Sequence, residues 1–333
     1  MGMGQYPIII VGGGIVGLCM GLFLKKNDIP FVIFDTSCQD DDVRTLFINR
    51  THVHFLTSLG LSFDNSNVKS IVIENRSQGV SSCYDTYHPY IAKMVIFKDL
   101  KHQLQSLAKD HIIQRNYENY QLLSGQLLIA ADGCHSKVRR HVNIDILKRD
   151  YQSVARTYHI EHDHLHGKKA YEIFDKEHII ATLPLKDSNH SGVVICSSVS
   201  SPLVHHGDHL GSSRIITPVK EYPLIGVFAK KNICYPKQTI LIGDAAHHYH
   251  PLAGQGLNVG LKDVIKLGRI LLQAHRYGVP FVSPSVFGEY ESQSTHHTLM
   301  RIFIHGVLNG PMFLKRLGTS TWYRWSFLLE GFV

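Results

Sequence analysis

The chain has 333 residues, 44% of them hydrophobic, with a formal net charge of +7 and 23 histidines. That length buries a core of enzyme size rather than that of a small binding module. Its lysines and arginines are scattered and spell no helix-turn-helix, RRM or zinc-finger pattern, so the positive charge points to an anionic cofactor or membrane surface, with no nucleic acid expected.

In chain order, Pro7–Val11 (PIIIV) has the pattern of a short buried strand and runs into Gly12, Gly14 and Gly17, which spell G-x-G-x-x-G. Gly12 permits a tight turn, Gly14 lets backbone approach a pyrophosphate, and Gly17 lets the next helix pack on the strand. Phe31–Phe34 (FVIF) predicts a second strand ending at Asp35, where an acid hydrogen-bonds a ribose hydroxyl. Residues 7–24 are apolar enough to suggest a signal peptide or a membrane span. Their glycines stand at fingerprint spacing instead, with no basic n-region before them and no small-residue cleavage site after them. No other stretch is long and apolar enough to span a bilayer, so the expectation is a cytoplasmic protein or one peripheral on the inner membrane face. The six cysteines (Cys19, Cys38, Cys83, Cys134, Cys196 and Cys234) are dispersed, which suits a reducing compartment and ordinary packing roles.

Leu127–Arg139 (LLIAADGCHSKVR) predicts another strand, an Asp132-Gly133 turn and a basic helix start. Its blandest reading is a helix-start turn in which Asp132 and Arg139 form a surface ion pair. Residues 151–200 carry strand-like alternation, and Gly192–Cys196 (GVVIC) reads as a buried strand of a second layer. Two histidine groups, His162, His164 and His166, then His247, His248 and His250, have no His-Glu-x-x-His spacing and no cysteine partner, so no metal is expected.

Thr239–Ile242 predicts a strand that enters Gly243–Asn258 (GDAAHHYHPLAGQGLN). This stretch places a carboxylate, Asp244, at a strand mouth, and follows it with a glycine-flanked turn whose N–H groups open a helix toward an anionic cofactor ring. Val264–Leu272 continues that helix with apolar residues at helical spacing, a core pattern. The segment 284–333 ends in rings and cations: Lys315, Arg316, Trp322, Tyr323, Arg324, Trp325 and Phe327. They suit a membrane interface or a helix packed on the body.

The three motifs G-x-G-x-x-G, A-D-G-x-x-S-x-V-R and G-D-A-A-H with H-P-x-x-G-Q-G-L-N, in this order, resemble those of the FAD-dependent aromatic hydroxylases, the group A flavoprotein monooxygenases. Asp42-Val43-Arg44 with Thr45-Leu46 is similar to a segment of the ubiquinone-biosynthesis hydroxylases. Tyr151-Gln152, Ala170-Tyr171-Glu172 with Phe174, Leu183-Pro184-Leu185 and Tyr222-Pro223-Leu224 add to that similarity, which runs from about residue 7 to 300.

The resemblance implies an α/β fold: a Rossmann-like FAD-binding domain with an inserted mixed or antiparallel β-sheet substrate layer and a C-terminal helical segment. The expected division is 1–75, 90–150 and 221–283 for FAD, 76–89 and 151–220 for the substrate-side sheet, and 284–333 for the tail. It further implies that Gly12, Gly14 and Gly17 approach the FAD pyrophosphate, Asp35 holds the adenosine ribose and Arg44 lies near the flavin phosphates. Asp132 and Gly133 would support FAD and the nicotinamide donor, and Asp244 would hydrogen-bond the ribityl chain. Pro251, Gly254, Gln255, Gly256, Leu257 and Asn258 would line the isoalloxazine. The implied activity is hydroxylation of a polyprenylated phenol with NAD(P)H and molecular oxygen, through a flavin hydroperoxide, with no protein nucleophile. Membrane and quinone-biosynthesis assemblies are the implied partners. Two other readings keep the fold: a flavin reductase of isoprenoid chains, and a shortened FAD-binding accessory subunit. The chain departs from the family by being shorter between Asp110 and Leu127 and between Val199 and Arg214. It also has Ile96-Phe97 in place of an acidic-Asn pair, and Tyr290-Glu291-Ser292-Gln293 in place of an arginine-rich helix start.

Overall fold

The computed structural model describes residues 6–36, 42–63, 66–77, 79–115, 117, 125–175, 177–202, 208–249 and 255–293. The chain starts with a βαβ unit made of strand β1 (Ile8–Val11), helix α1 (Ile15–Lys26) and strand β2 (Phe31–Asp35), in which β1 and β2 pair in parallel with Ile8 opposite Phe31. All four residues of β1 are buried, as a strand covered on both faces requires. It then leaves this sheet through β3 (Thr45–Asn49), α2 (Arg50–Ser58), β4 (Asn67–Val68), β5 (Ser70–Asn75), β6 (Val80–Asp85) and β7 (Ala92–Ile96). Helix α3 (Phe97–Ala108) brings it back to β8 (Ile112–Gln114) and β9 (Leu127–Ala130).

The short helix α4 (Lys137–His141) opens into the second layer, β10 (Ile146–His162), β11 (Lys169–Phe174), β12 (Ile179–Pro184), β13 (His190–Ser198), β14 (Ser213–Ile215) and β15 (Lys220–Ala229). The last described elements are β16 (Ile233–Cys234), β17 (Thr239–Leu241), β18 (His247–His248), helix α5 (Gln255–Arg276) and a helical stretch over 284–293.

Among the described residues these strands form three sheets. The first is six-stranded, ordered β16-β17-β9-β1-β2-β8, and parallel except for β16. The second is nine-stranded and mixed, ordered β18-β15-β10-β13-β12-β11-β5-β6 with β14 on β10. A small third sheet, β3-β7-β4, lies between chain segments of the other two. The fold is therefore the α/β arrangement anticipated from the motifs, with β10 to β13 supplying the second layer. Strands β5, β15 and β18 fall in segments expected on the FAD side, yet all three are hydrogen-bonded into the nine-stranded sheet.

Two local features fix how the layers meet. Close packing of α1 on the first sheet and of α5 on α1 depends on bare glycines: a Cβ at Gly21 would come 2.7 Å from Ile33 Cδ1, and one at Gly268 would come 2.8 Å from the Phe23 ring. In the second layer, β10 shifts register against β15 between Asp150 and Val154, where Gln152 takes φ 52°. Such a bulge bends the strand, and it lets β10 run 17 residues along a curved sheet. No helix among the described residues is long and apolar enough to cross a membrane.

Candidate functional site

The three motifs converge at the carboxyl ends of β1, β9 and β17, the edge where ligands of open α/β sheets bind. At the first turn Gly12 has φ +113°, its N–H donates to Phe34 O at 2.8 Å, and an added Cβ would lie 2.8 Å from the Asp132 nitrogen. A side chain at Gly17 would collide with the Gly12 carbonyl oxygen. Gly14 differs, because nothing lies within 4 Å of its Cβ position. Gly12 and Gly17 are thus packing glycines and Gly14 is bare toward open space, the division of labour its spacing predicts. Asp35 ends β2 beside this turn, close enough that a Cβ on Gly13 would collide with its carboxylate.

The middle motif requires a correction. Asp132 faces its own helix: Oδ2 accepts the N–H groups of Lys137 at 2.7 Å and Val138 at 3.1 Å, and Oδ1 accepts from the Ser136 hydroxyl. Its carboxylate caps the helix, because the N-terminal N–H groups of α4 need an acceptor. Arg139 does not form a surface ion pair either. It is 4% exposed, and its Nη1 and Nη2 donate to Ala245 O at 2.7 Å and Cys134 O at 2.8 Å, tying the second motif to the third. Gly133, with φ +80° and an open Cβ position, lines the cavity described below.

In the third motif a 3₁₀ turn over Gly243–Ala245 follows β17 and carries Asp244, whose Oδ2 lies 2.8 Å from His248 Nδ1. A residue that the sequence reading passed over, Asp263 on α5, holds this turn. Its Oδ2 accepts from Gly243 N–H at 2.9 Å and from His247 Nε2 at 2.7 Å. Burial opposes charge on His247, but the Asp263 carboxylate outweighs it and raises the imidazole pKa. The signal was available, since Gly256, Gly260, Asp263 and Leu267 share one face at helical spacing, and an acid on such a face needs a partner.

Asn258 also departs from expectation. At 1% exposure its Oδ1 accepts from Asn49 N–H at 3.2 Å and pairs with His52 Nδ1 at 3.0 Å, while its Nδ2 donates to Phe47 O at 2.9 Å. These bonds bolt α5 to β3 and α2. Burial lowers the His52 pKa to about 4. Pro251 and Gly254 lie outside the described residues, as does His250; Gln255 begins α5, and the described residues do not include its side chain.

A cavity of about 490 Å³ opens from these motifs. One end is lined by Gly14, Gly133, Asp244, Gly256 and Leu257, and the other by the inner face of the nine-stranded sheet. Arg44 stands at the junction. It forms an ion pair with Asp42 (Nη2–Oδ2 2.6 Å), and its guanidinium lies 5.1 Å from the Phe97 ring centroid and 4.8 Å from that of Tyr222. Rings and a carboxylate on separate sides hold the cation in place. The residues fit a flavin dinucleotide: Gly14, Gly133 and Gly256 each present backbone with no atom within 4 Å of the Cβ position, and all three line the cavity. The helix α5 begins beside them.

The histidines between β10 and β11 serve that connection. His162 contacts Ser191 Oγ at 2.9 Å and His164 O at 2.7 Å, and His166 contacts the carbonyls of Leu185 and Asp187 at 3.1 Å. Among the described residues no three His, Cys, Asp or Glu side chains are grouped to hold a metal ion.

Comparison with known proteins agrees with this geometry. Residues 236–279, the segment from β17 through α5, match the family described as FAD binding domain. The chain is 27% identical over 281 residues to the ubiquinone hydroxylase UbiM of Neisseria meningitidis, covering 79% of this chain and 55% of that protein. It is 32% identical over 202 residues to the ubiquinone hydroxylase UbiL of Rhodospirillum rubrum, covering 56% of this chain and 47% of that one. The chain thus spans about half the length of these curated relatives. Its fold is like that of Klebsiella pneumoniae HpxO, solved with FAD and uric acid, at TM-score 0.71 and 16% identity over 97% of this chain and 93% of that one. In its motifs the chain resembles the FAD-dependent aromatic hydroxylases, and these two curated relatives are ubiquinone hydroxylases.

Proposed function

We propose that the chain binds FAD and hydroxylates the aromatic ring of a polyprenylated phenol in ubiquinone biosynthesis, with NAD(P)H as electron donor and molecular oxygen as second substrate. The observation that carries this reading is the single cavity that joins the bare backbone at Gly14, Gly133 and Gly256 to an apolar sheet face. Bound FAD would supply the redox chemistry, taking electrons from the nicotinamide and activating oxygen.

The chain's own residues would do the rest. Gly12, Gly14 and Gly17 shape the pyrophosphate turn and Asp35 lies where a ribose hydroxyl needs an acceptor. Arg44 would face the flavin phosphates, and Asp244 the ribityl hydroxyls. The positive end of α5, near Gly256 and Leu257, would stabilise negative charge on the ring by about 0.3 to 2 kcal/mol. Ala155, Ile179, Ala181, Leu183 and Val194 would exclude water from the reacting face and hold a prenyl chain. The basic and aromatic tail with Lys315, Arg316 and Trp322, outside the described residues, supports a peripheral membrane contact through which such a substrate would arrive.

The test is turnover of a prenylated phenol by FAD-reconstituted protein with NAD(P)H and isotopically labelled oxygen. One labelled oxygen on the ring is the expected result. NAD(P)H oxidation that saturates the side chain without oxygen incorporation would replace this reading with a reductase. Bound FAD without turnover would replace it with an accessory subunit.

A further inference from the structure

His247 and His248 project from β18 in opposite directions, as consecutive strand residues do. His247 turns to Asp263, whereas His248 lines the cavity, with its Nδ1 2.8 Å from Asp244 Oδ2. A carboxylate only accepts, so Nδ1 carries the proton and donates. The pairing of His248 with Val227 presents the imidazole from a strand hydrogen-bonded into the nine-stranded sheet. The backbone of the Gly243–Ala245 turn is held from other sides, by Asp263 at the Gly243 N–H and by Arg139 at the Ala245 carbonyl. His248 therefore bears on the Asp244 side chain. That side chain is 44% exposed, and an exposed carboxylate loses rotamer freedom when a ligand hydroxyl takes one of its oxygens. Arg44 is attracted to the same charge, but its guanidinium is committed to Asp42, Phe97 and Tyr222.

We propose that His248 is a positioning residue for the flavin: its Nδ1–H fixes the Asp244 carboxylate through Oδ2 and leaves Oδ1 to accept from a ribityl hydroxyl. This rests on the reading above of Asp244 as the acceptor for the ribityl chain, and adds the group that sets the direction of that carboxylate. A carboxylate oriented before binding spares the complex the cost of ordering it, so the bond strengthens FAD binding without touching the flavin. Because His248 acts through Asp244, the two residues are coupled. Once Asp244 is gone, losing His248 changes nothing further.

The experiment is equilibrium dialysis of FAD against the whole chain for wild type, His248→Ala, His248→Asn, His248→Gln, Asp244→Ala and the Asp244→Ala, His248→Ala double variant, each with a thermal melt without flavin. His248→Ala should weaken FAD binding by roughly two- to tenfold, the cost of ordering one side chain on binding. The same substitution in the Asp244→Ala background should change affinity by less than about twofold. His248→Asn, whose amide nitrogen stands near the place of Nδ1, should bind FAD within about twofold of wild type. His248→Gln carries its amide nitrogen nearer the place of Nε2 and should behave as His248→Ala. An equal loss from His248→Ala in both backgrounds overturns the positioning role and leaves the FAD reading standing. So does wild-type affinity in His248→Ala, a His248→Asn no better than His248→Ala, or a loss that tracks a lowered flavin-free midpoint. Wild-type affinity in Asp244→Ala overturns the ribityl reading and this inference with it, as does a wild-type protein that takes up no FAD.

Discussion

His247 and Asp263 form a buried pair, with Nε2 and Oδ2 2.7 Å apart and side chains 3% and 1% exposed. The same Asp263 oxygen accepts from the Gly243 N–H at 2.9 Å, so a single carboxylate on α5 sets both ends of the turn that carries Asp244. Removing one partner of a buried pair leaves the other without compensation and costs about 3 to 5 kcal/mol. Asp263→Ala should therefore lower the denaturation midpoint and release FAD together. Because the His247 pKa is raised in the folded state, its stabilising contribution is complete below the unfolded histidine value of about 6.5 and is lost as pH rises through the folded value. Stability that fails to fall over that rise in wild type, or that falls equally in Asp263→Ala, would show that the pair is not charged.

Asp244 carries the opposite expectation. It is half-exposed at the cavity mouth and its recorded partner is the half-buried His248, so little of the core depends on it. Asp244→Ala should keep the thermal midpoint and lose FAD affinity by roughly ten- to a hundredfold, the worth of one charge-assisted hydrogen bond. Equilibrium dialysis of flavin measures this directly, and unchanged affinity would remove Asp244 from the ribityl site.

His52 gives a second pH dependence with the reverse sign. Burial depresses its pKa to about 4, so the folded state holds it neutral while the unfolded chain protonates it near 6.5. Its contribution is present above pH 6.5 and disappears as pH falls from there to about 4. A gap of that size is worth about 3 kcal/mol at most. His52→Gln should flatten the loss of stability over this window relative to wild type, as read by urea melts at each pH, though it starts from a lower value. Parallel curves would place the acid sensitivity elsewhere.

The strand, turn and helix of each motif were legible because glycine spacing and apolar runs are local properties. Gly12 and Gly17 pack as closely as their spacing predicts, and the Cβ position of Gly14 is open. The directions of Asp132 and Asn258 were not legible. An acid at the start of a helix serves equally as ligand or cap, and only the arrangement of Lys137, Val138 and Ser136 around Asp132 shows the cap. For Asn258 the partners Phe47, Asn49 and His52 lie more than 200 residues away in sequence, beyond the reach of any pattern in the helix itself.

The glycine turn separates packing from ligand binding in a single pair of variants. At Gly17 a methyl group would run into the Gly12 carbonyl oxygen and sit 3.2 Å from Ala131 Cβ, both held by the sheet, so Gly17→Ala should displace α1 from β1. Overpacking of that kind costs about 1 to 3 kcal/mol. At Gly14 the backbone lies at φ −73° and ψ 174°, which any residue adopts, and the methyl meets nothing within 4 Å. Gly14→Ala should leave the flavin-free protein as stable as wild type, or up to about 1 kcal/mol more stable through the stiffer unfolded chain. Its added methyl would occupy the space in which a pyrophosphate approaches, so FAD affinity should fall sharply while the melting curve of the apoprotein does not. Thermal melts with and without FAD distinguish the two: Gly17→Ala should lower both curves, and Gly14→Ala should lower only the curve with flavin. A Gly14→Ala protein that FAD stabilises as strongly as wild type would mean that the dinucleotide does not lie over this turn.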